Sequence, residues 1–305
     1  PENPKVRLRQ QGQNLIHLTP LERQPDPPNT AALKREIGRR WSDVELIDIF
    51  KEVDLRLNFT AAFRTTASRE VLDPALLQRR LLLCLFGIGT HVGLKCVASQ
   101  QPGVTVEELR YVKRRFVRKE ALRTAIAEVV NGTFRIRNPA IWGDATTACA
   151  ADSKQFGAYD QNLMTEWHAR YGGRGIMIYW HVETGSTCIY SKLRRCSSSE
   201  VAAMMEGVLR HCTDMEIERQ YVDSHGQSEV AFAFSHLLGF DLLPRLKAIA
   251  KQKLHVVETG DAPQYGHLEP ILTRAIDWEL IRQQYDEIIK YATALRLGTA
   301  EPEAI

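Results

Sequence analysis

One hairpin constrains the fold more than any other stretch. Ile176-Met177-Ile178-Tyr179-Trp180-His181-Val182 is rich in β-branched and aromatic residues, Thr184-Gly185 supplies a tight turn, and Thr187-Cys188-Ile189-Tyr190 returns the chain. Elements on either side extend the pattern. Upstream, the small residues Ala148-Cys149-Ala150-Ala151 suit a buried central strand that is expected to run out at Asp152. Downstream, Ser197-Ser198-Ser199-Glu200 reads as a helix cap. It precedes Val201, Met204, Met205, Val208, Leu209 and Cys212 on one stripe. A further strand-like stretch, Ile217 to Val222, ends at Asp223. The order is strand, strand, strand, helix, strand, with an acid at the end of the first and the fourth.

That order is the ribonuclease-H-like one, in which the first and fourth strands are neighbours. The fold class expected is therefore α/β: a helical amino-terminal bundle, then a ribonuclease-H-like mixed sheet with flanking and C-terminal helices. The helical part is read from residue 30 to about 131. Ser42 to Glu45 and Thr105 to Glu108 form capping boxes, and Asp73-Pro74 opens another helix. A helix is expected over about His91 to Ala98, and a long one from Thr105 to Asn131-Gly132. Phe134-Arg135-Ile136-Arg137 then alternates as a strand does, and Asn138-Pro139 ends the run. Near the start, Val6 to Arg9 and Leu15 to Leu18 alternate about Gly12, as in a small hairpin, and the prolines between Pro20 and Thr30 mark a linker. The expected domains are 1–132, a hairpin plus a helical scaffold, and 133–305, the sheet domain. Residues 270–297 read as packing helices, Trp167 and Trp180 as core or near-core, and Gly298 to Ile305 as a frayed end.

Composition excludes several classes. The chain has 305 residues, 44% hydrophobic and 25% charged, as in an ordinary globular protein. Its longest apolar run, Leu81 to Ile88, is too short to cross a bilayer, so no membrane partner is expected. The six cysteines lack metal-ligand spacing and read as reduced thiols of a cytosolic protein. A net charge of +3 says little, but the basic residues cluster. Arg110, Lys113, Arg114, Arg115, Arg118, Lys119 and Arg123 follow Thr105, where both a solvated face and a phosphate-contacting one fit. A helix–turn–helix is compatible with this region but is not distinguished from an ordinary helical pair. Lys192, Arg194 and Arg195 end the hairpin, and Arg245, Lys247, Lys251 and Lys253 form another cluster.

Two carboxylates held together resist joint ionisation unless a cation neutralises them. Hard Mg²⁺ takes oxygen ligands and keeps positions for water and phosphate, and a metal pair suits in-line phosphoryl transfer. An Asp at a strand end is more often a loop cap; two at matching positions of one topology weaken that reading, and a metal pair and a pair of caps then fit equally well. Asp144, eight residues before Asp152, reads as a cap or structural residue. His225 fits either a phosphate contact or a turn histidine. Lys154 and Gln155 adjoin the site and could hold a phosphate.

Several motifs resemble the Tn-three family of replicative transposases. They are Trp142-Gly143-Asp144 to Thr147, Ala151-Asp152-Ser153-Lys154-Gln155-Phe156-Gly157, Arg170-Tyr171-Gly172-Gly173-Arg174-Gly175, Cys196 to Glu200, Tyr221-Val222-Asp223-Ser224-His225-Gly226 and Leu237 to Leu246. The resemblance implies an Asp-Asp-Glu (DDE) transposase that cuts 3′ transposon ends and joins them to target DNA. It implies Mg²⁺ or Mn²⁺, terminal inverted repeats and target DNA as partners, and a homodimer or higher assembly on paired ends in the bacterial cytoplasm, at the nucleoid. Asp152 and Asp223 match the first and second catalytic acids. The third, a Glu, is expected beyond the end of this chain; Glu258, Glu269, Glu279 and Glu287 sit in no matching motif. The chain opens on Pro1 rather than Met, and an internal piece, inactive alone, is expected. Lys154, Gln155, Lys192, Arg194, Arg195, His225, Arg114 and Arg118 are the DNA-contact candidates. A metal nuclease or resolvase of the same fold, or a non-catalytic DNA-binding and assembly module, are the alternatives.

Overall fold

The computed structural model describes residues 4–20, 22–41, 44–65, 72–142 and 147–304. It divides into two compact units. One comprises residues 26–146 and 211–215, the other 1–25, 147–210 and 216–305.

The chain begins in the second of these with β1 (Val6–Leu8) and β2 (Ile16–Leu18), the antiparallel hairpin expected about Gly12. Leu15, next to β2, is buried and donates its N–H to the Ala250 carbonyl, which ties the hairpin to the later part of the same unit.

The helical unit holds α1 (Thr30–Arg40), α2 (Leu46–Leu57), α3 (Pro74–Gly89), α4 (Leu94–Gln100), α5 (Val106–Phe116), α6 (Lys119–Ile136) and the short α7 (Pro139–Trp142). Asp73 caps α3 by accepting from the Ala75 and Leu76 amides, with Pro74 at the first helical position. Thr105 and Glu108 complete their capping box at α5. The box expected at Ser42 involves residues outside those described; α2 starts at Leu46 with no side-chain cap. Phe59, Phe63, Leu81, Cys84, Val112 and Phe116 form its core.

Two helical expectations need correction. The long helix is two, α5 and α6, separated by the extended residues Val117 and Arg118. Both halves keep the same apolar period, so periodicity cannot reveal a two-residue interruption. The alternating Phe134 to Arg137 is not a strand: Ile136 closes α6, and the Arg137 amide still donates to the Thr133 carbonyl. Ile136 is 80% exposed, so its alternation serves no buried face.

The other unit is built on β3 (Ala148–Gly157), β4 (Glu166–His168), β5 (Gly173–Glu183), β6 (Cys188–Arg194), α8 (Glu200–Arg210), β7 (Arg219–Val222), α9 (Glu229–Leu238) and β8 (Asp241–Pro244). β9 (Leu254–Val256), β10 (Leu272–Ala275) and α10 (Trp278–Leu297) follow, with β9 and β10 forming a parallel pair of their own. In the main sheet β3 lies between antiparallel β5 and parallel β7, and β7 pairs parallel to β8. The outer edge of β5 pairs with β4 over residues 173–175 and with β6 over residues 177–182. The first and fourth long strands are thus neighbours in a mixed sheet of ribonuclease-H-like order.

Burial alternates along β3 and β5. Cys149, Ala151, Met177 and Tyr179 turn to the face where Ala203, Met204, Met205, Ala231, Leu238 and Leu295 pack. Small residues in β3 let α8 approach the sheet closely, and Gly207 of α8 meets the His181 ring directly. Trp180 is only half-buried and Trp167 is 62% exposed, so Trp167 is no core residue. The carboxyl end is not frayed: Pro302 is buried, Glu301 pairs with Arg210, and Glu303 pairs with Lys192. Among the described residues no helix is long and apolar enough to cross a membrane.

Candidate active site

The last registered pair between β3 and β7 is Ala151 with Val222, so Asp152 and Asp223 come one step later on adjacent parallel strands. Such strands run roughly 4.8 Å apart. One detail departs from the sequence reading. Asp152 does not end its strand: β3 continues to Gly157 and pairs Asp152 with Trp180. The small-residue run ends at Asp152, but antiparallel β5 gives the next five residues a partner.

Asp223 caps a short 3₁₀ turn, Ser224–Gly226. Its Oδ1 accepts from the His225 amide at 2.8 Å, and its Oδ2 lies 2.6 Å from His225 Nδ1. Gly226 is required by the close approach, since a Cβ there would sit 2.4 Å from Val222 Cγ2. The loop-cap role and the site role therefore coexist in one residue. Asp152 Oδ1 accepts from the Ser153 amide at 2.7 Å.

Glu200, the first residue of α8, completes the arrangement. Ser153 Oγ donates to Glu200 Oε1 at 2.6 Å, Arg194 Nη1 approaches the same oxygen at 3.5 Å, and His225 Nδ1 lies 3.8 Å from Oε2. The sequence reading made Glu200 part of a capping run. In the structure Ser199 Oγ accepts from the Ala202 amide, while Ser197 Oγ donates to Glu166. The cap is shifted to Ser199, which leaves the Glu200 carboxylate to face the cavity. Burial pushes the Tyr179 phenol far up, and Glu200 reinforces the shift.

A cavity of about 400 Å³ is lined by Asp152, Ser153, Arg194, Glu200, Asp223 and His225, with Arg170 and Tyr171 at its side. Glu200, Asp223 and His225 can each offer one ligand atom within 4.8 Å of the others, whereas Asp152 lines the same cavity outside that tight group. A second cleft of about 370 Å³ shares Arg170, Asp223 and His225 and adds Arg245 and Lys247. The carboxylate oxygens are donors suited to a hard divalent ion.

The remaining candidates fall in different settings. Lys154 is exposed on β3, on the same side as Asp152. Gln155 donates to the Gly173 carbonyl at 3.0 Å and so ties β3 to β5. Lys192 is engaged by Glu206 and Glu303. The Arg194 side chain is 2% exposed. Arg195 is 53% exposed, 3.7 Å from Glu166. Arg114 is exposed on α5 and Arg118 is half-buried before α6, both in the helical unit. Asp144 lies outside the described residues.

Residues 48–305 match the family model described as the Tn3 transposase DDE domain, which is the Tn-three family named by the motifs. The chain belongs to this family. The transposase of transposon Tn1546 from Enterococcus faecium is 30% identical over 74% of this chain and 23% of its own length. The transposase of Tn21 from Escherichia coli is 29% identical over 93% of this chain and 28% of its own length. The chain therefore spans about a quarter of the curated relatives it matches. The solved Mos1 transposase paired-end complex with left transposon end covers 87% of this chain at 12% identity and a TM-score of 0.25, too low to inform either fold. A DDE domain implies use of divalent metal, and the cavity's oxygen donors fit one.

Proposed function

We propose that this Tn3-family chain is the part of a DNA transposase that carries the first two catalytic acids, acting in 3′-end cleavage and strand transfer. The observation that carries the reading is the parallel register placing Asp152 and Asp223 abreast at one cavity. In this reading the two carboxylates hold Mg²⁺. Such ions, when bound, activate the attacking oxygen and stabilise the leaving one. The protein's own groups orient and position. His225 braces Asp223 through Nδ1, 2.6 Å from its Oδ2. Arg170, Arg245 and Lys247, around the cleft shared with Asp223, neutralise the DNA backbone as it enters. Exposed Lys154 and Arg195 extend that contact, and exposed Arg114 offers a phosphate contact of its own on the helical unit. Terminal inverted repeats and target DNA are the substrates, a paired-end assembly the working form, and the bacterial cytoplasm, at the nucleoid, its place. In this reading the third acid is not among the described acids.

Strand-transfer products from the longer parent protein test the reading. Asp152→Asn and Asp223→Asn should each abolish them, with DNA-end binding retained. Cleavage without joining by the unaltered parent would favour a nuclease or resolvase, and full activity in either variant would overturn the acid pair. This chain alone should transpose nothing; activity would mean that the third acid lies within it.

A further inference from the structure

We propose that Glu200 is a positioning residue for the acid pair, joining Asp152 and Asp223 through one carboxylate at the start of α8. The inference rests on the reading of those two acids as metal-holding.

Ser153 is the link on one side. Its amide donates to Asp152 Oδ1 at 2.7 Å while its hydroxyl donates to Glu200 Oε1 at 2.6 Å, so a single residue orients the Asp152 carboxylate and anchors itself to α8. His225 is the link on the other side. Its Nδ1 lies 2.6 Å from Asp223 Oδ2, at hydrogen-bond distance, and 3.8 Å from Glu200 Oε2, so Glu200 faces the imidazole that Asp223 binds without hydrogen-bonding it. Arg194, whose side chain is 2% exposed, sits 3.5 Å from Glu200 Oε1 and neutralises the acid from beneath. A side chain needed only for capping would not have this reach, and the cap is already made by Ser199. The arrangement is that of groups that orient metal-holding carboxylates from behind, where substitution commonly costs ~10–100-fold in metal affinity.

Mn²⁺ binding to the 305-residue chain, read by electron paramagnetic resonance, tests this, with the unfolding midpoint measured in parallel. Glu200→Gln and Ser153→Ala should each weaken binding ~10-fold or more. The double variant should be no weaker than the worse single one, because both act along one path. Glu200→Asp should restore part of the affinity that Glu200→Gln loses. Ser153→Ala should keep the native midpoint, so it remains decisive if Glu200→Gln leaves Arg194 unpaired and fails to fold. Native affinity in Ser153→Ala would overturn the proposal, whether Glu200→Gln is weak (a direct ligand or a mere prop for α8) or unaffected. If Asp152→Asn and Asp223→Asn bind Mn²⁺ as the unaltered chain does, or the unaltered chain binds none, the acid-pair reading itself fails.

Discussion

Gly207→Ala should collapse the packing that sets α8 against the sheet. An ideal Cβ at Gly207 would lie 1.9 Å from His181 Cε1 and 2.3 Å from both ring nitrogens, inside the imidazole rather than beside it. Ordinary contact starts at 3.4 Å, so helix and ring must part by about 3.4 − 1.9 = 1.5 Å. The ring has little room to yield. His181 is 0% exposed, its Nε2 lies 3.1 Å from the Met204 carbonyl, and Tyr179 and Tyr190 flank it at 5.3 and 5.7 Å between centroids. Overpacking of this kind costs ~1–3 kcal/mol and at times more. A backbone that must shift places the clash at the upper end, and the ~1 kcal/mol by which Ala favours a helix over Gly offsets part of it. A net loss of about 2 kcal/mol would lower the melting temperature by roughly 4–8 °C for a domain of this size class. Thermal unfolding followed by circular dichroism measures it. Gly38→Ala in exposed α1, where a Cβ meets nothing within 4 Å, is the control and should be neutral or stabilising by up to ~1 kcal/mol. A native midpoint in Gly207→Ala would refute the packing of α8 on His181.

Glu206 accepts from Tyr190 at 2.5 Å and from Lys192, with its side chain 8% exposed. Burial pushes its carboxyl up, but the Lys192 and Tyr190 hydrogen bonds outweigh this and hold it below the ordinary 4.5. Its stabilisation is therefore complete above about pH 4.5 and lost as pH falls through the lowered value. Glu206→Gln should cost about 1–2 kcal/mol at neutral pH, since Lys192 keeps Glu303, and flatten the acid limb of a denaturation–pH profile. Burial pushes the Cys84 thiol up to about 11 and Cys149 up to about 12. Iodoacetamide at pH 8 should label exposed Cys96 and spare these two until the chain unfolds, as mass spectrometry would read. Arg245→Ala and Lys247→Ala should each lower the salt slope of DNA binding by about 1, in filter binding over a salt series.

Strands with strong alternation were legible, and so was their order. Ile176 to Val182, its hairpin partner and the neighbourhood of the first and fourth strands follow from β-branched runs, a Thr-Gly turn and one topology. Asp223 at the end of β7 was legible for the same reason. The continuation of β3 past Asp152 was not, because Ser153, Lys154 and Gln155 have no strand signature of their own; pairing with β5 makes them a strand. Nor was Glu200, since Ser197-Ser198-Ser199-Glu200 satisfies a capping pattern in more than one register and only tertiary contact picks Ser199. The basic residues ending the hairpin looked alike in sequence, yet their setting differs with alternation. Arg194 faces the core, whereas Arg195 faces solvent. The break between α5 and α6 preserves helical period on both sides and leaves no trace in the residue pattern.

Anomalous scattering from Mn²⁺-soaked crystals of this chain tests the central claim most directly. The account predicts a manganese site bridged by the Asp152 and Asp223 carboxylates, with oxygens at about 2.0–2.6 Å, and Glu200 within reach of Ser153 and His225 behind it. Carboxylates more than about 8 Å apart, beyond the span of a shared two-metal site, or manganese held without Asp152, would contradict it.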